Sequence, residues 1–564
     1  MQYLALVLLL LAWLNPLHIG PWVSWHNEVL AFAAITLLFA VVLQQLKAKR
    51  TRIHIPRSAL VWLALFVVVV MQSAWGQIEF IGDAAVLVFY IGLVFIAQIS
   101  GFALVHRIGG ESSWSDKSVL IPLAVAILLG ASVSALLAFV QTADVWPESE
   151  WILRGYSLRR PGGNMGQPNQ LATLLLMGIA SLNYLFGEKR LQGIAAFMLF
   201  GLLIAGLGLT ESRSGVLGAF ALLAFALLHK NRALAGQSVW YCIPGFALLI
   251  VCFKVLPTIS YQLLQAGTEE VPQLAANLTA GTRLVIWPQL IEASMLHPWL
   301  GWGLRQVPLA YNAVLHNYSL GEAFTYAHNL VLDIVLGVGY PLGVVLVGAF
   351  SFWTNKMLRA IADRSAWYCM ALLIPLVVHS LLEFPFAYAY FLVPVALAIG
   401  VMEAQLFPNN YIEVKRVHVA LGHTIFVLLL LWSVWEYIAI EEDFRVARFE
   451  ALRIGKTPVD YSRPHTVLLT QLDAMLTGIR LVPEPGMNVE RIEAARAVAM
   501  RFPWPATQNR YALTLALNGN PDEAIRQIKV IRAMHGEKTY QSIRASWQDL
   551  ALTKYPQLNA IQLP

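Results

Sequence analysis

Five short stretches of this chain carry side chains able to hold an anion or move a proton. RPGGNMGQPNQLA at 160–172 follows Arg159 and contains Arg160, Gln167 and Asn169. TESRSG at 210–215 holds Arg213, and GTRLVIWPQ at 281–289 holds Arg283. YAHNLVLDIVLGVGYPLG at 326–343 opens on His328 and Asn329, and HSLLEFPFAYAY at 379–390 holds His379, Glu383, Tyr388 and Tyr390. Guanidinium forks match phosphate oxygens in pairs, and a histidine can take the proton of an attacking hydroxyl. Gly162, Gly163 and Gly166 allow the backbone to approach a ligand closely. Gln167 and Asn169 flank Pro168 at the expected entry to a helix, where unpaired N–H groups favour an anion. Four arginine positions with one histidine therefore point to a site for a polyanion.

Membrane helices must position these residues. Charged residues make up 13% of the 564 and hydrophobic ones 58%, whereas an ordinary soluble domain is roughly a quarter charged. Apolar windows of about the length that crosses hydrocarbon occur thirteen times, at 3–19, 28–46, 58–75, 83–105, 118–141, 169–187, 191–209, 214–229, 238–256, 327–353, 366–382, 387–406 and 417–439. The first lacks a basic start and a cleavage site and reads as an uncleaved span. Lys and Arg gather in alternate connections: Lys47, Lys49, Arg50, Arg52 and Arg57; Arg107 and Lys117; Lys189 and Arg190; Lys230 and Arg232; Lys356, Arg359 and Arg364; Lys415 and Arg416. Such loops belong in the cytoplasm. Residues 20–27 and 76–82, the 160–172 stretch, TESRSG and the long connection 257–326 then face outward, to the periplasm of a Gram-negative cell.

The expected fold is an all-α polytopic membrane protein of about thirteen transmembrane helices over residues 1–440, with a large outer loop at 257–326. An odd number of spans puts residues 441–564 outside as a charge-richer helical domain. There YALTLALNGNPDEAIRQIKVI at 511–531 reads as helix, turn at Gly519-Asn520-Pro521, and amphipathic helix. That is the form of one tetratricopeptide-like pair, although a single pair cannot bury its own faces and a plain small helical domain is the simpler alternative.

Structural alternatives stand beside each functional reading. Arg159 and Arg160 also suit snorkelling to lipid headgroups; Arg213 has Glu211 close by as an ion-pair partner; Arg283 suits a loop surface; His328 suits a carbonyl-bonded interfacial histidine. His379 and Glu383, four residues apart, suit a buried pair on one helix. Ionisable groups at bilayer depth cost about 2.5–3.5 kcal/mol on insertion scales and are seldom kept without use. Cys242, Cys252 and Cys369 lie in or beside apolar runs without CxxC spacing, which fits packing rather than a disulfide or metal site. The net charge of +6 follows from the basic loops and needs no nucleic acid.

The QPN stretch before a span, ESRSG at the start of another, and AHNLVLDIVLGVGYPLG after a large outer loop resemble the bacterial O-oligosaccharyltransferases of the PglL type, relatives of O-antigen ligases and polymerases. The resemblance covers most of the chain, more loosely the helical tail. It implies a GT-C-like membrane fold in the bacterial inner membrane, with the active site facing the periplasm. It implies transfer of a preassembled glycan from undecaprenyl diphosphate to serine or threonine of exported proteins such as pilins. The family's histidine matches His328, its glutamine Gln167, and its arginines Arg213 and Arg283; its tyrosine has Tyr388 or Tyr390 as an approximate counterpart.

On this reading His328 activates the acceptor hydroxyl while Arg160, Arg213 and Arg283 hold the diphosphate, whose developing charge needs cations rather than a strong acid. Arg159, Asn169, Asn329, His379, Glu383 and Tyr388 are supporting candidates. No compact DxD or DxE cluster lies in an outer loop, and magnesium sites recruit carboxylates, so neither a metal nor another cofactor is expected. The nearest alternatives are a ligase acting on lipid A core sugar or a polymerase acting on another glycan. A polyisoprenoid-glycan transporter is the alternative of a different class, but no inverted internal repeat of the transporter kind is visible.

Overall fold

Each of the thirteen apolar windows holds a helix in the computed structural model, which describes residues 2–45, 51–106, 115–154, 160–233, 242–263 and 281–564. Eight helices are long and apolar enough to cross a membrane: Trp25–Gln45, Arg57–Ala74, Ile81–Val105, Asp116–Thr142, Pro168–Gly187, Leu330–Ala360, Ala389–Leu406 and Arg416–Leu452. The remaining windows hold Gln2–Leu14, Gly193–Leu209, Arg213–Leu228, Cys242–Leu263 and Arg364–Ser380. Among the described residues these five fall short of the same criterion. The chain is a multi-pass membrane protein; among the described residues eight helices meet the length and apolarity a crossing needs, where the windows count thirteen. Polar punctuation marks two of the short ones: Ser212 and Asp363 each accept a backbone N–H and so fix where a helix begins, as Ser115 does for the longer Asp116–Thr142.

The chain forms two compact units. The first comprises residues 1–66, 89–269 and 351–430. Its helices meet through small residues: a Cβ on Gly101 would lie 2.0 Å from the Leu397 carbonyl, and one on Gly400 would lie 2.0 Å from that of Gln98. Ile81–Val105 and Ala389–Leu406 thus pack backbone against backbone, as helices do where lipid removes the hydrophobic drive to associate. One feature departs from the all-α expectation. Arg52–Pro56 pairs antiparallel with Tyr411–Lys415, Arg52 opposite Lys415 and Pro56 opposite Tyr411.

The second unit comprises residues 67–88, 270–350 and 431–564. In it the window expected as one span over 327–353 is interrupted. Gly339 sits at φ 78, ψ 171 and divides Leu330–Ala360 into a short and a long helix. The freed backbone groups find partners: the Leu336 carbonyl accepts from Trp302 N at 2.7 Å, the Gly337 carbonyl from Gln72 Nε2 at 2.8 Å, and Tyr340 N donates to the Pro298 carbonyl at 2.8 Å. A broken helix is tolerated at membrane depth only when its polar groups are satisfied in this way. The tail folds into Thr470–Arg480, Val489–Arg501, Pro505–Leu517 and Pro521–Thr553, the last bent at Gly536. Val530, Ala533 and Met534 of the final helix share a core with Ile286, Leu290, Val307 and Tyr311 from the connection before His328. Asp83 is fully buried and takes both arms of the Arg501 guanidinium, at 2.7 and 2.8 Å. A buried carboxylate needs such pairing to offset its lost hydration.

Candidate active site

In the first unit the QPN stretch is a rigid turn held by side chains from distant helices. Gly163–Met165 forms one 3-10 turn, Gly166 at φ 75 reverses the chain, and Gln167 in extended conformation precedes Pro168 at the first position of Pro168–Gly187. The Gln141 amide pairs with both backbone groups of Gly163, accepting from N at 2.9 Å and donating to O at 3.0 Å. Asn164 is buried; its amide donates to the carbonyls of Leu14 at 2.7 Å and Trp151 at 2.9 Å and accepts from Leu153 N at 3.0 Å. His18 Nε2 lies 2.8 Å from the Asn164 carbonyl. The turn therefore presents Gln167 and the helix N-terminus with little freedom.

The other predicted residues of this unit sort themselves around that helix end. Arg160 is half-buried and donates from Nε to the Thr210 carbonyl at 3.1 Å, which ties the QPN stretch to the TESRSG turn rather than leaving it to headgroups alone. Asn169 accepts from Ser212 Oγ at 2.7 Å and makes a long 3.5 Å contact from Nδ2 to Glu383. Ser212 in turn caps Arg213–Leu228 through Gly215 N at 2.9 Å. Arg213 is exposed at the first position of that helix and makes no ion pair among the described residues; the pairing with Glu211 is not formed. His379 is buried with Nδ1 2.8 Å from Thr173 Oγ1. The single helix expected to carry His379 and Glu383 ends at Ser380, and Glu383 lies in the turn beyond it. Tyr390 is buried and committed, donating to Gln170 Oε1 at 2.8 Å. Tyr388 stays half-buried, stacked on Phe384 with ring centroids 6.0 Å apart. Arg159 lies outside the described residues.

The second unit carries Arg283, His328 and Asn329. Arg283 is half-buried near the start of Gly281–Leu296. His328 adopts φ 53, a left-handed conformation uncommon for a residue with a Cβ. The residues on either side hold it there. Asn329 Oδ1 accepts from Val331 N at 3.0 Å and Leu332 N at 3.2 Å, while Asp333 Oδ1 accepts from Ala327 N at 2.9 Å. Trp287 Nε1 donates to the Ala327 carbonyl at 3.2 Å, and the Phe324 ring stands 4.8 Å from the imidazole. A half-buried imidazole on a capped helix start has the accessibility and fixed aim that a base acting on a hydroxyl requires. Nearby, burial raises the Tyr311 phenol well above its ordinary range, and its hydroxyl donates to Gln289 at 2.7 Å.

Sequence reasoning passed over Gln141, Asn164, Thr173, Ser212 and Asp333. Two of these had a readable signal: Ser212 precedes a span as an N-cap residue does, and Asp333 follows Asn329 by one helical turn. The other three are polar residues within a turn or an apolar helix, and only their distant partners mark them.

The chain matches three family models: the C-terminal part of a virulence factor membrane-bound polymerase over residues 367–549, O-antigen ligase over 194–347, and protein glycosylation ligase over 161–186. The last covers the QPN turn and its helix; the second covers Arg213, Arg283 and His328. Two proteins of Acinetobacter baylyi align over long stretches. A general O-oligosaccharyltransferase is 27% identical over 553 residues, covering 94% of this chain and 92% of its own length. A ComP-specific O-oligosaccharyltransferase is 27% identical over 388 residues, 68% of each chain. These matches, along nearly the whole chain, support an enzyme of the oligosaccharyltransferase kind, similar to the PglL-type glycosylation ligases and to the O-antigen ligases.

Proposed function

We propose that the chain transfers a preassembled oligosaccharide en bloc from undecaprenyl diphosphate to a serine or threonine of a periplasmic protein such as a pilin, in the bacterial inner membrane and with its chemistry on the periplasmic side. The observation that carries this reading is the alignment with a general O-oligosaccharyltransferase over 94% of the chain, together with the glycosylation-ligase match on the QPN turn. The membrane part, residues 1–440, is a GT-C-like transferase, and the helical domain, residues 441–564, lies in the periplasm.

In the proposed reaction the acceptor oxygen bonds to the anomeric carbon as the bond from that carbon to the diphosphate breaks. The acceptor proton goes to His328, and the lipid diphosphate leaves with the electron pair, inverting the anomeric centre. The leaving group is already good, so cationic side chains suffice to stabilise it: Arg160, Arg213, Arg283 and Gln167 are assigned to the donor. Asn169, Asn329, His379, Glu383 and Tyr388 support them, as does Arg159. No metal takes part.

The test mixes purified full-length protein with an undecaprenyl-diphosphate glycan and a pilin, and reads modified serine or threonine by mass spectrometry. His328→Ala should abolish transfer while donor binding persists; a fully active His328→Ala enzyme removes the assigned role. The O-antigen ligase match over 194–347 favours one other acceptor. Glycan found only on lipid A core would move the assignment there.

A further inference from the structure

A second polar feature of the first unit lies at the far end of the helix that begins at the QPN turn. Lys117, Glu188, Lys189, Arg232, Asp363 and Arg364 line a cleft of about 450 Å³. Cations outnumber carboxylates there by two to one. The carboxylates are already engaged: Glu188 lies 2.6 Å from Lys117 Nζ, and Asp363 caps Arg364–Ser380 by accepting from Ala366 N at 2.8 Å. Lys189 and Arg232 are exposed and make no ion pair among the described residues. The Arg364 guanidinium lies over Gly187, where a Cβ would come within 1.9 Å of Nη1, and its Nε points at the Arg232 carbonyl at 3.5 Å. Two guanidinium groups thus border one concavity, the arrangement that suits phosphate oxygens.

The position of the cleft identifies its ligand. Pro168–Gly187 has 20 residues, about 30 Å of helix, which is the thickness of the hydrocarbon layer. Gln167 and Asn169 stand at one end and the cleft at the other, so the cleft lies at headgroup level in the opposite leaflet. Strongly exposed apolar side chains adjoin it: Leu228 just before the Arg232 segment, and Ile194, Phe197 and Met198 just after Lys189. Basic groups at the rim with apolar surface below them suit a molecule that is anionic at its head and hydrocarbon beneath.

We propose that this cleft binds the phosphate of an anionic phospholipid in the leaflet opposite the QPN turn. The test uses full-length protein in detergent, titrated with dioleoylphosphatidylglycerol, dioleoylphosphatidylcholine or inorganic phosphate, with retained adducts counted by native mass spectrometry. The protein should retain phosphatidylglycerol over phosphatidylcholine, and Lys189→Gln/Arg232→Gln should weaken that preference about tenfold. Both residues are exposed and make no ion pair among the described residues, so this variant should fold normally. Arg359→Gln/Lys415→Gln, which removes the same charge elsewhere in the unit, should keep the preference. An equal loss in that control overturns the site in favour of general attraction to charge. An unchanged preference in Lys189→Gln/Arg232→Gln overturns it outright. Inorganic phosphate that displaces the lipid at low concentration overturns the lipid assignment in favour of a free anion.

Discussion

Replacing Gly339 with alanine should damage the enzyme far more than an ordinary glycine substitution in a membrane helix. At φ 78, ψ 171 the backbone is in a region that only glycine occupies easily, which costs about 1–3 kcal/mol for a residue with a Cβ. The new Cβ would lie 2.4 Å from the Trp299 carbonyl oxygen and 2.5 Å from its carbon. These are backbone atoms that cannot rotate away. Relieving the clash pulls on the hydrogen bonds from Trp302 N to Leu336 O and from Tyr340 N to Pro298 O, each worth about 1–3 kcal/mol if left unmet in a buried place. The total is about 3–9 kcal/mol, and the short helix it acts on begins at Leu330, two residues after His328. A local shift of about 3 kcal/mol changes a population roughly a hundredfold. Transfer rate should therefore fall by at least that factor, with a lowered melting temperature. The control is Gly348→Ala in the same helix, where a Cβ meets nothing within 4 Å. Initial rates and thermal unfolding of both purified variants decide the matter; Gly339→Ala behaving like Gly348→Ala would refute the reasoning.

The remaining expectations are more local. Asn164→Ala removes the partners of three backbone groups at 2.7–3.0 Å, about 1–3 kcal/mol each if they stay dry; transfer should drop at least about tenfold while global unfolding moves little, and a rate within twofold of the parent would count against the turn as a positioning device. His535 in the tail has a pKa pushed down to about 4, chiefly by burial, with the Pro503 carbonyl partly opposing. Its neutral form is the folded one, so the stability it contributes is complete above about pH 6.5 and is lost as pH falls toward 4. Between pH 7 and 5 the loss should be about 1 kcal/mol after allowance for the ring's partial exposure. Protection factors across residues 521–553, taken relative to the intrinsic exchange rate at each pH, should fall with acid in the parent and less so in His535→Gln; identical pH dependence would remove the histidine from the account. Transfer should continue in excess EDTA, and a loss restored by magnesium would overturn the metal-free mechanism.

Much of the architecture could be read locally. Apolar windows of spanning length marked the helices, because a helix in hydrocarbon satisfies its own backbone. Pro168 marked the entry to its helix for an equally local reason, since a first-turn residue needs no N–H partner. The Gly339-Tyr340-Pro341 sequence was a visible interruption, yet the window was read as continuous. Whether such a glycine bends or breaks a helix depends on what satisfies the freed carbonyls. Here that is Gln72, 265 residues from Gly337, and no periodicity reports it. The same holds for Glu383, placed on a helix by its spacing from His379 but found in the turn beyond Ser380.

The sequence by itself determined that this is a multi-pass helical protein, where its helices lie, and which polar motifs interrupt them, because each of those properties follows from neighbours along the chain. Only the tertiary structure decided that Asn169 meets Ser212, that Thr173 meets His379, that Tyr390 is buried against Gln170 while Tyr388 stays half-buried beside Phe384, and that the loop before His328 shares a core with the tail. A buried polar atom must find a partner wherever packing brings one, and distance along the chain places no limit on where that partner comes from.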